Sequence, residues 1–283
     1  MYRYGNSTKQ NGIRSNRPLT NEEIGFYAPS VLAATAHESR GDRYGFIPTI
    51  DVLNSLRKEG FEPFEVRQTK VKDAGKREHT KHLVRMRHPN ALALDASAEV
   101  PEIILVNSHD GSSSYQLLAG FFRFVCSNGL IAGDVCDNIR IRHQGNVIDN
   151  VIEGSYRVLD NIELANNRIG LYKDVKLDRE EQLAFADAAI DLRWDRDAAT
   201  MVAPVEAKNL ISVRRSADYA SDAWTTLNVV QENLIKGGVR SVSAKGRRGR
   251  TREVGGVNEN VKLNRAVWTL MDHLVKHKTG AAA

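Results

Sequence analysis

The sequence predicts an α+β fold: an antiparallel sheet of about five strands packed with long helices, and a helical C-terminal half. Three observations predict it. Between residues 61 and 143, short apolar runs recur at period two, and turn residues separate them. From residue 147 onward the apolar spacing becomes three and four, the period of a helix buried on one face. The connections between the first runs are short, and short connections favour antiparallel neighbours.

Residues 1–44 read as a flexible tail followed by a loop. A short helix is expected at Thr20-Asn21-Glu22-Glu23, with Asn21 as its cap. Residues 48–56 (PTIDVLNSL) read as an amphipathic helix with Val52, Leu53 and Leu56 on one face, ended by Gly60. Residues 61–72 alternate, with Phe64, Val66, Gln68 and Lys70 on one side and Glu65, Arg67, Thr69 and Val71 on the other. Residues 78–88 alternate again, with Leu83, Arg85 and Arg87 opposite His82, Val84, Met86 and His88. Runs at 103–106 and 115–125 flank Ser108-His109-Asp110-Gly111-Ser112. Asp-Gly between apolar runs is a hairpin signal, because glycine takes positive φ without steric cost. The segment reads as a solvated turn. Residues 137–143 form the last alternating strand, Ile139 and Ile141 against Arg140 and Arg142. The cations at every second residue, Arg85 with Arg87 and Arg140 with Arg142, read as the wet face of a one-sided sheet. The functional alternative is a basic face that tracks a phosphate backbone.

Residues 147–171 and 178–194 are the first helical stretches, the second opened by a capping-box pair, Asp178 and Glu181. Residues 209–235 carry an apolar stripe of Trp224, Leu227, Val230 and Leu234, with Gln231-Glu232-Asn233 on or beside its polar flank. Residues 240–256 have no apolar period and much Gly, Ser and Arg, so they read as a loop that is mobile unless something binds it. Val261, Trp268, Met271 and Leu274 mark a last helix. The expected organisation is a tail and loop at 1–44, helix plus sheet at 45–146, and a helical part of the same domain at 147–278, with the Arg/Gly-rich loop at 236–256.

Of the 283 residues, 41% are hydrophobic and 27% charged, which suits a soluble globular protein. No apolar stretch reaches the roughly 18–20 residues that span a bilayer. The polar start lacks the apolar centre of a signal peptide, so a cytoplasmic location without a membrane partner is expected. Cys126 and Cys136 read as buried small hydrophobes. The formal net charge is +5, but seven cations and no acid fall between Lys236 and Arg252. The rest of the chain is slightly negative, so an electrostatic partner should be met at that stretch.

Tests for chemistry return little. Neither phosphate-loop nor dinucleotide glycine pattern occurs, nor do HExxH or CxxC. Asp191, Asp195 and Asp197 are interspersed with Arg193 and Arg196, which favours surface ion pairing over a cation site. His273 and His277 share a helix face, but two ligands do not make a metal site. A hydrolase or nuclease built on His109, Asp110 and Cys126 needs a nucleophile within reach of a base, which only tertiary structure can bring about. No catalytic residue, cofactor or metal is therefore assigned. Tyr115, Phe121, Phe122, Phe124 and Trp224 are candidate stacking platforms for bases, although Phe is normally interior.

Four strings, NSHDGSSSY, FRFVCSNGL, the RRxxD…W…N…QEN…GG pattern over 214–238, and VKLNRAVW, occur in order. In these the chain resembles the phage/plasmid-like family of domain of unknown function 932, over about residues 45–274. The resemblance implies a setting on prophages, plasmids and related mobile elements and carries over no catalytic residues. It also places the Arg-rich loop inside the domain, between the GG and VKLNRA landmarks. A helix, an antiparallel meander and a long helix are similar in outline to phage single-strand-annealing recombination proteins, an analogy of topology alone.

The resulting expectation is a non-enzymatic mobile-element protein that binds nucleic acid, single-stranded DNA being favoured, in recombination or replication. Lys245, Arg247, Arg248, Arg250 and Arg252 would contact phosphates, Arg214 and Arg215 would extend the track, and Arg140 and Arg142 would line its floor. The alternative is a protein–protein interaction factor acting against a host defence system, its Arg loop docking an acidic surface of a host protein. Either reading admits a homo-oligomer.

Overall fold

Alternation at period two builds a sheet in the first half of the chain. A computed structural model describes residues 7–9, 11–41, 44–88, 99–123, 128–132, 139–143, 145–196, 203–243 and 245–280. Strands β1 (Ser7–Lys9) and β2 (Gly12–Arg14) precede helices α1 (Asn21–Tyr27) and α2 (Thr49–Lys58). Then come β3 (Glu62–Gln68), β4 (His82–Arg87), β5 (Glu99–Asn107), β6 (Tyr115–Arg123), β7 (Asn128–Ile131) and β8 (Ile139–Ile141). The sheet order is β1-β2-β3-β4-β5-β6-β7, with β8 also on β6. The fold is α+β, as expected, with more strands than the sequence showed. The extra ones are short: β2 lies in the segment expected to be a tail, yet Ile13 pairs with Val66 and is buried. Three residues are too few to display a period. The cap of α1 is Thr20 rather than Asn21; its side chain accepts from the Glu23 amide, and the Glu23 carboxylate accepts from the Thr20 amide at 3.0 Å.

The described residues fall into two compact units, one within 1–129, 136–163 and 255–257, the other within 130–135, 164–254 and 258–283. In the first, α2 buries Val52, Leu53 and Leu56. Helix α3 (Val147–Asp174) begins in this unit, and a Cβ at Gly154 would lie 2.7 Å from Leu117 and 3.2 Å from Ile139. Glycine there lets the helix close on β6 and β8.

The wet sheet face expected at Arg85 and Arg87 is instead sealed. Every residue of β4 is buried, and the two arginines are 3% and 1% exposed. In register across three strands, Arg14 faces Glu65 and Glu65 faces Arg85. Arg85 and Arg87 each hold one oxygen of Glu102, at 2.6 and 2.7 Å. Glu65 accepts from Arg14 at 2.7 Å and also from Arg67. Burial alone would push the Glu65 carboxyl up, but Arg14, Arg67 and Arg85 hold it well below the usual carboxylate range. Phe64 is an extra residue in β3, opposite no residue of β4. The Arg87 guanidinium lies 4.8 Å from its ring and 3.7 Å from that of Phe122. Charges that a solvent-facing strand would leave wet are paired with carboxylates within the sheet.

The second unit holds the rest of α3, then α4 (Arg179–Asp191), α5 (Ala207–Leu210), α6 (Ala223–Lys236), β9 (Arg240–Val242), β10 (Arg248–Arg250) and nearly all of α7 (Val257–Thr279). The Asp178–Glu181 capping box forms as expected. Arg196 bridges Asp187 and Asp191 at 3.0 and 2.6 Å, the surface pairing expected of that stretch, while Asp197 lies outside the described residues. Helix α6 has no polar flank: all its residues from Ala223 to Ile235 are buried. Gln231 donates to Asn264 at 2.6 Å, and Asn233 donates to the carbonyls of Leu210 and Ser212 at 2.7 and 2.9 Å. Gly237 ends the helix at φ 68°, where a Cβ would meet the Arg252 backbone at 2.6 Å. No helix among the described residues is long and apolar enough to cross a membrane.

The charge lattice makes a stability prediction. Glu102→Gln leaves Arg85 and Arg87 buried without their shared countercharge, and should cost about 3–5 kcal/mol in urea unfolding. Glu62→Gln removes a partner of Arg57 that is 30% exposed and should cost less than about 1 kcal/mol.

Candidate nucleic-acid interface

The Arg/Gly-rich stretch expected to be a mobile loop is a two-stranded antiparallel ribbon. Arg240 pairs with Arg250, Ser241 with Gly249 and Val242 with Arg248. Its base is tied by backbone bonds from Gly238 to Thr251 and from Thr251 to Val239, each 2.8 Å. Arg193 adds donations to the carbonyls of Leu234 and Arg252. Side chains alternate along each strand, so Arg240, Arg248 and Arg250 share one face. Arg240 and Arg250 stand directly opposite, an arrangement of like charges that destabilises a ribbon. Arg240, Lys245, Arg247, Arg248, Arg250 and Arg252 are all exposed, and none forms an ion pair with a carboxylate among the described residues.

Beside this ribbon lies a cleft of about 600 Å³ whose walls include Arg214, Arg240, Arg250, Asn209 and Asn233. Arg214 is oriented from behind: its Nε donates to Asn233 Oδ1 at 2.8 Å and its Nη2 to the Gly237 carbonyl. Asn233 also holds the 210–212 backbone, so one buried amide sets both the cleft wall and its arginine. Arg215 has a different use. It donates to Asp218 at 2.6 Å and to both oxygens of Glu232 at 2.9 and 2.8 Å. Burial would raise the Glu232 carboxyl, but the Arg215 bonds and Lys236 hold it below its ordinary value. Arg215 and Lys236 therefore balance the protein's own acids. Arg140 and Arg142 are exposed on and just after β8, in the first unit.

The aromatic candidates do not reach solvent. Tyr115, Phe121, Phe122 and Trp224 are 0%, 1%, 4% and 2% exposed. Phe124 and Cys126 lie outside the described residues. An aromatic side chain that sequence reasoning passed over, Tyr219, is 74% exposed. It follows Arg214-Arg215 in a polar stretch, and that polar flanking was the available signal.

The Ser108–Ser112 turn is solvated at its tip, where Gly111 and Ser112 are exposed, but Ser108 and His109 are 0% exposed. Thr49, the first residue of α2, sits between two rings: its Oγ1 is 3.0 Å from His82 Nε2 and 3.0 Å from His109 Nε2. It also accepts from Asn107 Nδ2 at 3.0 Å. One proton assignment satisfies all three contacts: Thr49 donates to His82, and His109 donates to Thr49. His82 Nδ1 then carries the proton that faces the Thr80 carbonyl at 3.2 Å. Burial lowers His82 to about 4, and burial with the neighbouring His82, His143 and His79 lowers His109 to about 2. This junction ties α2, β4 and the β5–β6 turn together with neutral imidazoles. Among the described residues no group of three or more His, Cys, Asp or Glu is placed to hold a metal ion.

Depressed histidines bind protons in the unfolded chain first. Their stabilising effect is complete above about pH 6.5 and is lost as pH falls toward the folded values, by up to about 1.4 kcal/mol per pH unit for each ring. Urea midpoints should fall from pH 7 to pH 5, and His109→Asn should flatten that dependence by about one ring's share.

Two proteins of Escherichia coli (strain K12) resemble the chain along most of its length. UPF0380 protein YafZ and UPF0380 protein YfjQ are each 46% identical over 265 residues, covering 94% of this chain and 94% of their own. No solved structure matches it significantly. The family model described as "Domain of unknown function (DUF932)" matches residues 36–268, close to the 45–274 extent of the sequence resemblance, and the chain belongs to that family.

Proposed function

We propose that this chain binds nucleic acid through its phosphates, on the β9–β10 ribbon and in the cleft beside it. The observation that carries the reading is the exposed Arg240–Arg250 pair with Arg248 on the same face, unneutralised among the described residues. Arginines on facing residues of a ribbon gain from a polyanion the countercharge they lack within the protein, since each phosphate engaged offers two acceptor oxygens and releases a counterion. Arg214, presented to the same cleft by Asn233, adds a positioned donor. Lys245, Arg247 and Arg252 enlarge the cationic surface. Single-stranded DNA in recombination or replication on a mobile element is the finer form of this reading. It draws on the family resemblance and on charge.

The test is titration of labelled oligonucleotides at several salt concentrations with Arg247, Arg248, Arg250 and Arg252 changed to alanine. Loss of four phosphate contacts should weaken binding and reduce the steepness of log K against log salt by about 3 for a single strand. The same affinity and slope in variant and parent would overturn the reading.

A further inference from the structure

We infer that Tyr219 is a base-stacking platform that makes the interface selective for single-stranded nucleic acid over duplex. The inference rests on the phosphate-binding reading above and adds what that reading lacks, a group that engages bases.

Four observations support it. Tyr219 is 74% exposed, an unusual position for a large ring, and its hydroxyl has no hydrogen-bond partner among the described residues. It lines a cleft of about 290 Å³ whose walls also include Ile211 and Val229. Gln182 and Thr226, joined at 3.3 Å, give that cleft an amide and a hydroxyl suited to the edge of a base. Ser212 is a wall of this cleft and also of the one that holds Arg214, Arg240 and Arg250, so the aromatic and cationic sites adjoin at that residue.

The nearest acid does not oppose an anionic strand. Asp218 lies beside Tyr219, but its side chain is 1% exposed and pairs with Arg215 at 2.6 Å. A strand whose phosphates lie along Arg214, Arg240 and Arg250 can therefore turn a base toward Tyr219 without meeting uncompensated negative charge. In a duplex the base faces are stacked on one another, and a lone exposed ring has no face to receive. Stacking on one ring tolerates any base, so the expected preference is for strandedness and not for sequence. The same stacking serves DNA and RNA, and their source is left to the experiment.

The test compares parent, Tyr219→Ala and Tyr219→Phe binding oligothymidylate, oligouridylate and a duplex of equal length. Tyr219→Ala should weaken single-strand binding roughly five- to hundred-fold and leave the salt slope unchanged, because no phosphate contact is removed. Tyr219→Phe should bind as the parent does, since the ring remains. Duplex binding should be unaffected. Ultraviolet crosslinking of a 5-iodouridine-substituted strand should attach to Tyr219. The relative loss on oligothymidylate and oligouridylate assigns the source. Parent-like binding by Tyr219→Ala, or an equal loss on single strand and duplex, overturns the inference. If binding needs the ribbon arginines and not Tyr219, this inference falls alone. If the parent binds no oligonucleotide, the phosphate reading falls with it.

Discussion

Two buried guanidinium groups gripping one buried carboxylate set the terms for the sheet. Arg85 and Arg87 each take one oxygen of Glu102, with no solvent to share the cost. A charge moved out of water is tolerated only with its counterion in place, and the Arg87 Nη2 that finds no hydrogen-bond partner among the described residues belongs to a guanidinium set over the Phe64 and Phe122 rings. That condition links β4 to β5, and through Glu65 it links β3 and β2 to the same lattice. A slip of one residue in any of these strands would send the charges to the other face and strand them there. The lattice therefore constrains the register of all four strands.

The same requirement organises the buried polar groups elsewhere. Thr49 satisfies three partners, His82 on β4 and Asn107 and His109 at the end of β5 and its turn, while burial keeps the two histidines neutral. In α6, a helix buried on every side, Gln231, Glu232 and Asn233 find partners on α7, Arg215 and the 210–212 backbone. The Asn233 link has a functional consequence, because the same amide fixes Arg214 at the wall of the cationic cleft. A helix interior is thus coupled to the geometry of a surface site.

The cations of the chain separate into two kinds on this view. Arg14, Arg67, Arg85, Arg87, Arg215 and Lys236 are engaged with acids and serve the fold. Arg240, Arg247, Arg248 and Arg250 have no carboxylate partner among the described residues and stand on a ribbon tied at its base by backbone bonds. Counting basic residues cannot separate the two kinds. Their partners can.

Period and local chemistry were enough to read the α+β class, the α2 helix, the alternation of β3 and β4, and the capping box of α4, because each depends on residues a few positions apart. The concentration of charge between Lys236 and Arg252 was legible for the same reason. Alternation says which residues share a face of a strand and nothing about what covers that face. Hence Arg85 and Arg87 looked wet, Ser108 and His109 looked solvated with the rest of their turn, and Gln231-Glu232-Asn233 looked like a polar flank. In each case the partner that made burial tolerable lies on another element: Glu65 and Glu102, Thr49, Asn264 and the Leu210 carbonyl. The exposure of Tyr219 was hidden by the converse, since an aromatic is placed outside only when no packed neighbour claims it. Burial is a property of pairs distant in sequence, and tertiary structure alone decided it.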